Sequence, residues 1–90
     1  MAQYESTTET TFVAAKFPYW GRGSSKGDAV RDYRRAGGRG RPKVIEVKWR
    51  PRKGETGGAY VDDNGGVRVP GKFIGKPKIV IDEKTIVVLD

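Results

Sequence analysis

Between Lys16 and Lys53 the chain carries thirteen of its eighteen lysines and arginines, opposed only by Asp28, Asp32 and Glu46. That block holds a charge of +10, while the remaining residues sum to −3. So concentrated a charge favours a polyanionic partner, because each phosphate neutralised by Lys or Arg releases condensed counterions. Histidine and cysteine are both absent. Their absence removes the usual zinc ligands, the thiol and Ser-His nucleophiles, and the ordinary general base near neutral pH. No metal, no cofactor and no enzymatic activity are expected. A hydrolase or transferase built on Lys, Asp and Tyr would need a carboxylate pair or an activated nucleophile, and neither is visible.

Within the block, aromatic and cationic residues interleave. Tyr19 and Trp20 stand beside Arg22, and Trp49 stands beside Arg50 and Arg52, a mixture that suits stacking on bases next to backbone phosphates. Trp49 alternates with Ile45 and Val47 and is assigned to the core, whereas stacking and core capping are both open to Tyr19 and Trp20. The stretch Gly21-Arg22-Gly23-Ser24-Ser25-Lys26-Gly27 opens a helix, where backbone N–H groups and the helix dipole can hold one phosphate beside Arg22 and Lys26. It matches no nucleotide fingerprint, since Lys26 stands where a dinucleotide loop needs glycine and no Gly-Lys-Ser/Thr closes it. An ordinary glycine-rich helix start is the plainer reading.

Arg39-Gly40-Arg41-Pro42-Lys43 resembles the core of the AT-hook, a short reader of the minor groove of A·T-rich DNA. The resemblance covers five residues. It implies that Arg39 and Arg41 insert into the groove, that Gly40 permits close approach to its floor, and that Lys43 touches a phosphate. The alternative is a helix-to-strand connector in which these residues only turn the chain.

The elements that must position these side chains follow from periodicity. Phe12 to Phe17 reads as a strand stopped by Pro18, with Thr7 to Thr11 as an extension, and Tyr19 to Gly23 reads as a loop. Ser25 and Asp28 form a capping pair for a helix in which Ala29, Val30, Tyr33 and Ala36 make one apolar stripe. Arg31, Arg34 and Arg35 fall on the other side, and Gly37-Gly38 supplies the left-handed stop. From Lys43 the period becomes two: Ile45, Val47 and Trp49 point one way while Val44, Glu46, Lys48 and Arg50 point the other, as in a half-buried strand. Asn64-Gly65 between Ala59-Tyr60-Val61 and Val67-Arg68-Val69 predicts a hairpin with a type I′ turn. Pro70 to Pro77 reads as a connection. Ile79-Val80-Ile81 and Ile86 to Leu89 read as a second hairpin, expected to be the best buried.

Ninety residues accommodate one core. The expected fold is α+β: a small, mostly antiparallel sheet of five to six strands with one helix packed on it, in the order β-α-β-β-β-β-β. Residues 1–11 are assigned to a flexible segment or strand extension, and residues 12–90 to a single domain. With no signal peptide or transmembrane segment in view, a cytoplasmic protein without membrane contact is expected. The functional expectation is a non-catalytic nucleic-acid-binding protein, with DNA preferred over RNA on the strength of the AT-hook-like core. Backbone contacts are assigned to Arg22, Lys26, Arg31, Arg34, Arg35, Arg50, Arg52 and Lys53. A competing expectation is an interaction module or inhibitor whose basic face docks on an acidic protein. Oligomeric state is left open.

Overall fold

The computed structural model describes residues 3–82. Strand β1 (Glu9–Lys16) turns at Phe17-Pro18 into β2 (Tyr19–Gly23), and helix α1 (Lys26–Arg35) follows. After a connector come β3 (Lys43–Pro51), β4 (Tyr60–Val61), β5 (Val67–Arg68), β6 (Gly71–Phe73) and β7 (Lys78–Ile81). The main sheet is antiparallel and runs β2-β1-β3, with β6 and β7 both paired to β3. Strand β6 pairs with the Trp49–Pro51 end of β3, and β7 with the Val44–Glu46 stretch. Strands β4 and β5 form a separate hairpin. One helix on a mostly antiparallel sheet is the expected α+β class.

Alternation along β1 and β3 divides the side chains between two buried layers. On one face Ala14 and Val44 pack with Ala29, Val30 and Tyr33 of α1, joined by Phe12, Val80 and Ile81. On the other face Val13, Val47, Trp49 and Ala59 pack beneath the β4–β5 hairpin with Ile45, Val61, Val67, Val69 and Phe73. Strand β3 is therefore not half-buried throughout: Val44 lies fully inside on the helix side, as Val47 does on the hairpin side. The Trp49 indole N–H donates to the Thr11 hydroxyl at 3.1 Å, which satisfies its one polar atom within the core.

The helix is built as its caps predict. The Ser25 hydroxyl accepts from the Asp28 amide at 3.2 Å, satisfying one of the open donors of the first turn. At the far end the Gly38 N–H reaches the Tyr33 carbonyl and the Gly37 N–H the Arg34 carbonyl. Gly37 is left-handed at φ 107°, completing a Schellman stop.

Four expectations need correction. The element order is β-β-α-β-β-β-β-β, because Tyr19 to Gly23 is a strand and not a loop. Gly21 and Gly23 fall at alternate positions on its helix side, where α1 lies against the strand backbone. A Cβ at Gly21 would collide with the Tyr33 backbone nitrogen, and one at Gly23 would lie 2.8 Å from the Ala29 nitrogen. Glycine serves close packing here. Second, Pro70 to Pro77 contains β6, a strand too short to give a periodic signal.

The third correction concerns the Asn64-Gly65 hairpin, which forms without a type I′ turn. Gly65 has φ 82°, but among the described residues no non-glycine residue has positive φ. The Gly65 N–H donates to the Asp62 carbonyl at 3.0 Å, as in a type I turn closed by a left-handed glycine. Fourth, Ile79 is 56% exposed, so the Ile79 to Ile81 strand is not the best-buried element. It pairs with β3, and its expected partner, Ile86 to Leu89, lies outside the described residues. At the N-terminal side Tyr4 bridges Arg52, and the Glu5 and Lys53 amides donate to Pro51 and Gln3.

Candidate nucleic-acid interface

The cations divide by the face on which alternation places them. Counting from the buried Val44, the positions Glu46, Lys48 and Arg50 of β3 share the helix side of the sheet. Register sets Lys48 opposite Thr10 and Arg50 opposite Lys72 of β6. Lys48, Arg50 and Lys72 are exposed, and none makes an ion pair among the described residues. Like charges directly opposite in a sheet repel and cost stability. Glu46 is the one carboxylate on this row of β3, and register sets it opposite Phe12 and Lys78.

The helix adds a second group. Arg31 reaches the Asp28 carboxylate at 3.3 Å and Arg35 reaches Asp32 at 3.9 Å, each one turn away. These exposed pairs hold the arginine face loosely, since such contacts contribute well under about 1 kcal/mol. Arg34 is exposed and has no ion pair among the described residues. Lys26 opens the helix, but Asp28 in the first turn already lies beside its N-terminus, and the Ser24 hydroxyl donates to that carboxylate at 3.3 Å. A phosphate there would meet a resident negative charge, which opposes the grip assigned to Lys26 and Arg22.

Arg22 points away from that helix start. Its guanidinium donates to the Ala59 carbonyl at 2.7 Å and lies 5.8 Å from the Trp20 ring centre. Trp20 and Arg22 alternate with Gly21 and Gly23, so they fall on the hairpin side, where Arg22 ties the Ala59 backbone to β2. The Arg22 amide donates to the Asp32 carboxylate at 3.0 Å. A helix side chain thus caps an open donor on the edge of the sheet.

The connector with the AT-hook-like core is anchored at several points. The Tyr33 hydroxyl donates to the Arg39 carbonyl. Gly40 is left-handed at φ 76°, Pro42 is fully buried, and Lys43 already pairs with Ala15 as the first residue of β3. Arg39, Gly40 and Arg41 are exposed on a bend whose ends are fixed. An AT-hook core lies extended along the groove floor, a geometry that the left-handed Gly40 does not have. Burial pushes the Tyr33 phenol above its ordinary pKa, with the charge of Arg34 pulling the other way.

No protein-family model, curated protein or solved structure matches this chain. Of the expected contact residues, Arg31, Arg34, Arg35 and Arg50 fall on the helix side, and Arg39, Gly40 and Arg41 form the bend beyond the helix C-terminus. Trp20 and Arg22 turn to the opposite side, as does Lys43, which register sets across from Ala15. Arg52 lies 5.7 Å from the Tyr4 ring centre, and Lys53 is exposed in the loop after β3. Lys48 and Lys72, which share this exposed row, were not among the expected contact residues. Lys48 was within reach, because it alternates with Arg50. Lys72 was not, because β6 was unread. Among the described residues no group of three or more metal-ligating side chains occurs, and no helix is long and apolar enough to cross a membrane.

Proposed function

We propose that the protein binds nucleic acid without catalysing a reaction, gripping the sugar-phosphate backbone with its helix side. The observation that carries this reading is the unpaired row of Lys48, Arg50 and Lys72, in which two cations face each other directly across neighbouring strands. Such an arrangement costs stability in the free protein and is relieved by an anion. Arg34, Arg39 and Arg41 extend the positive surface toward the other end of β3. From Lys43 to Arg50 that strand rises about 23 Å, close to seven phosphate steps along one strand of B-DNA. Duplex DNA is the leading partner. Arg39 and Arg41 act in this reading as backbone contacts from a fixed bend, and sequence preference is not expected from them.

The test is a mobility-shift series with A·T-rich and G·C-rich duplexes over a range of salt. Engaging about five phosphates gives a log–log slope near −4.5, a loss of about 500-fold from 50 to 200 mM salt. A slope near zero, or no binding at low salt, rejects the proposal in favour of an acidic protein partner. Arg41→Ala is expected to weaken both duplexes alike. Loss of an A·T preference in that variant alone would restore minor-groove insertion.

A further inference from the structure

At the end of the molecule where β1 turns into β2, an open groove of about 540 Å³ lies between that turn and the connector after the helix. This volume falls within the range of small-ligand sites, about 300–1,000 Å³. Two large aromatic side chains stand there in water: Phe17 is 62% exposed and Tyr19 45% exposed. Lys16 and Arg39 flank them, and among the described residues no carboxylate lines the groove. Neither cation makes an ion pair among the described residues.

The groove is rigid where a planar ligand would rest. Tyr33 forms part of its wall, is itself fully buried, and holds the Arg39 carbonyl through its hydroxyl. The Tyr19 ring lies close over the Gly37 backbone, since a Cβ at Gly37 would be 3.2 Å from Tyr19 Cε1. On the far side Lys16 Nζ lies near the bend, 3.0 Å from where a Gly40 Cβ would stand. Exposed π faces next to two uncompensated cations suit a ligand with a planar apolar part and an adjoining anion. Duplex DNA hides its base faces within the stack and offers no such part except at frayed or unpaired positions.

We infer that this groove takes one unpaired nucleobase, stacked on Phe17 or Tyr19, with a flanking phosphate held by Lys16 and Arg39. The inference rests on the proposed nucleic-acid reading and deepens it: backbone binding on the helix side continues into a single-strand site beyond the helix C-terminus. Beside duplex backbone, the protein would then also hold frayed ends, junctions and single strands, where backbone and free base are available together.

Two single-stranded probes of equal length separate this from backbone binding alone, one of deoxythymidine and one abasic throughout, at matched salt. The thymidine strand should bind about 5- to 100-fold more tightly, the range expected for stacking one base. The double variant Phe17→Ala/Tyr19→Ala should abolish that difference while keeping both the abasic affinity and the salt slope. The retained abasic affinity and salt slope, together with a cooperative melting transition, show that the fold of the double variant survives. The single variants Phe17→Leu and Tyr19→Leu, each removing one ring, show whether the other ring alone suffices. Equal binding of the two probes by the unaltered protein, or a difference that persists in the double variant, overturns the single-strand site and leaves backbone binding standing. Failure to bind any strand at low salt overturns both. Binding of a fluorescent acidic tyrosine peptide that is lost in Lys16→Glu, with no strand bound, would overturn the proposal and assign the groove to a protein partner.

Discussion

Gly21 and Gly23 carry more of the architecture than their types suggest. Both lie where α1 meets the backbone of β2, and any Cβ must displace the helix. Gly21→Ala is expected to cost about 1–3 kcal/mol, the range for overpacking a filled interior, read as a lower urea midpoint. Arg34→Ala on the same helix should change the midpoint little, because its exposed side chain makes no ion pair among the described residues. Tyr33 makes the opposite kind of contribution. Tyr33→Phe removes the bond to the Arg39 carbonyl and should cost about 1 kcal/mol. Because burial raises the folded pKa of this phenol above its ordinary value, its contribution is complete below about pH 10 and is lost as pH rises through the raised value. Urea midpoints above about pH 10 should therefore fall more steeply in the unaltered protein than in Tyr33→Phe; parallel declines would refute this assignment.

Among the elements, the β4–β5 hairpin depends most visibly on one side chain. The Asp62 carboxylate accepts from Arg68 Nε at 2.9 Å, and from the Asn64 and Gly66 amides at 2.9 Å each. The guanidinium contact first, and then the amides, hold its pKa below the usual carboxylate range. A depressed folded pKa means that this support is present above the ordinary value near 4 and is lost as pH falls through the depressed one. Protection of the Gly66 and Val67 amides, taken relative to their intrinsic exchange rate at each pH, should fall across that acidic window. In Asp62→Asn the acid step should be absent. The Asn64-Gly65 signal predicted the hairpin but not its turn type, since that type depends on how Asp62 binds the loop amides. Strand β6 gave no signal at all: Gly71 to Phe73, between Pro70 and Ile74-Gly75, acquire strand geometry only because Trp49 to Pro51 present open backbone groups beside them.

For the whole molecule, the unpaired cation row sets stability against binding. Lys72→Glu should raise the urea midpoint, since an opposite charge now faces Arg50, a gain of about 0.2–1 kcal/mol. The same change should weaken nucleic-acid binding and make the salt slope shallower by about one. If Lys72→Glu bound as tightly as the unaltered protein with an unchanged slope, the helix side would not be the binding surface.

Several features were determined by the sequence alone, because they depend on neighbours in the chain. The charge block, the Ser25 cap and Gly37-Gly38 stop of α1, the period-two pattern of β3 and the presence of a hairpin at Asn64-Gly65 all belong to that class. Tertiary structure decided what is non-local. Glycines that read as a loop became a strand once a helix needed their missing side chains. Arg22, indistinguishable in sequence from its neighbours, was drawn to the Ala59 carbonyl. Lys48, Arg50 and Lys72 became one surface only through the register of β3 with β6. A charge count fixes how many cations a chain carries, but the pairing of distant strands sets which of them share a face and which lack a counter-ion.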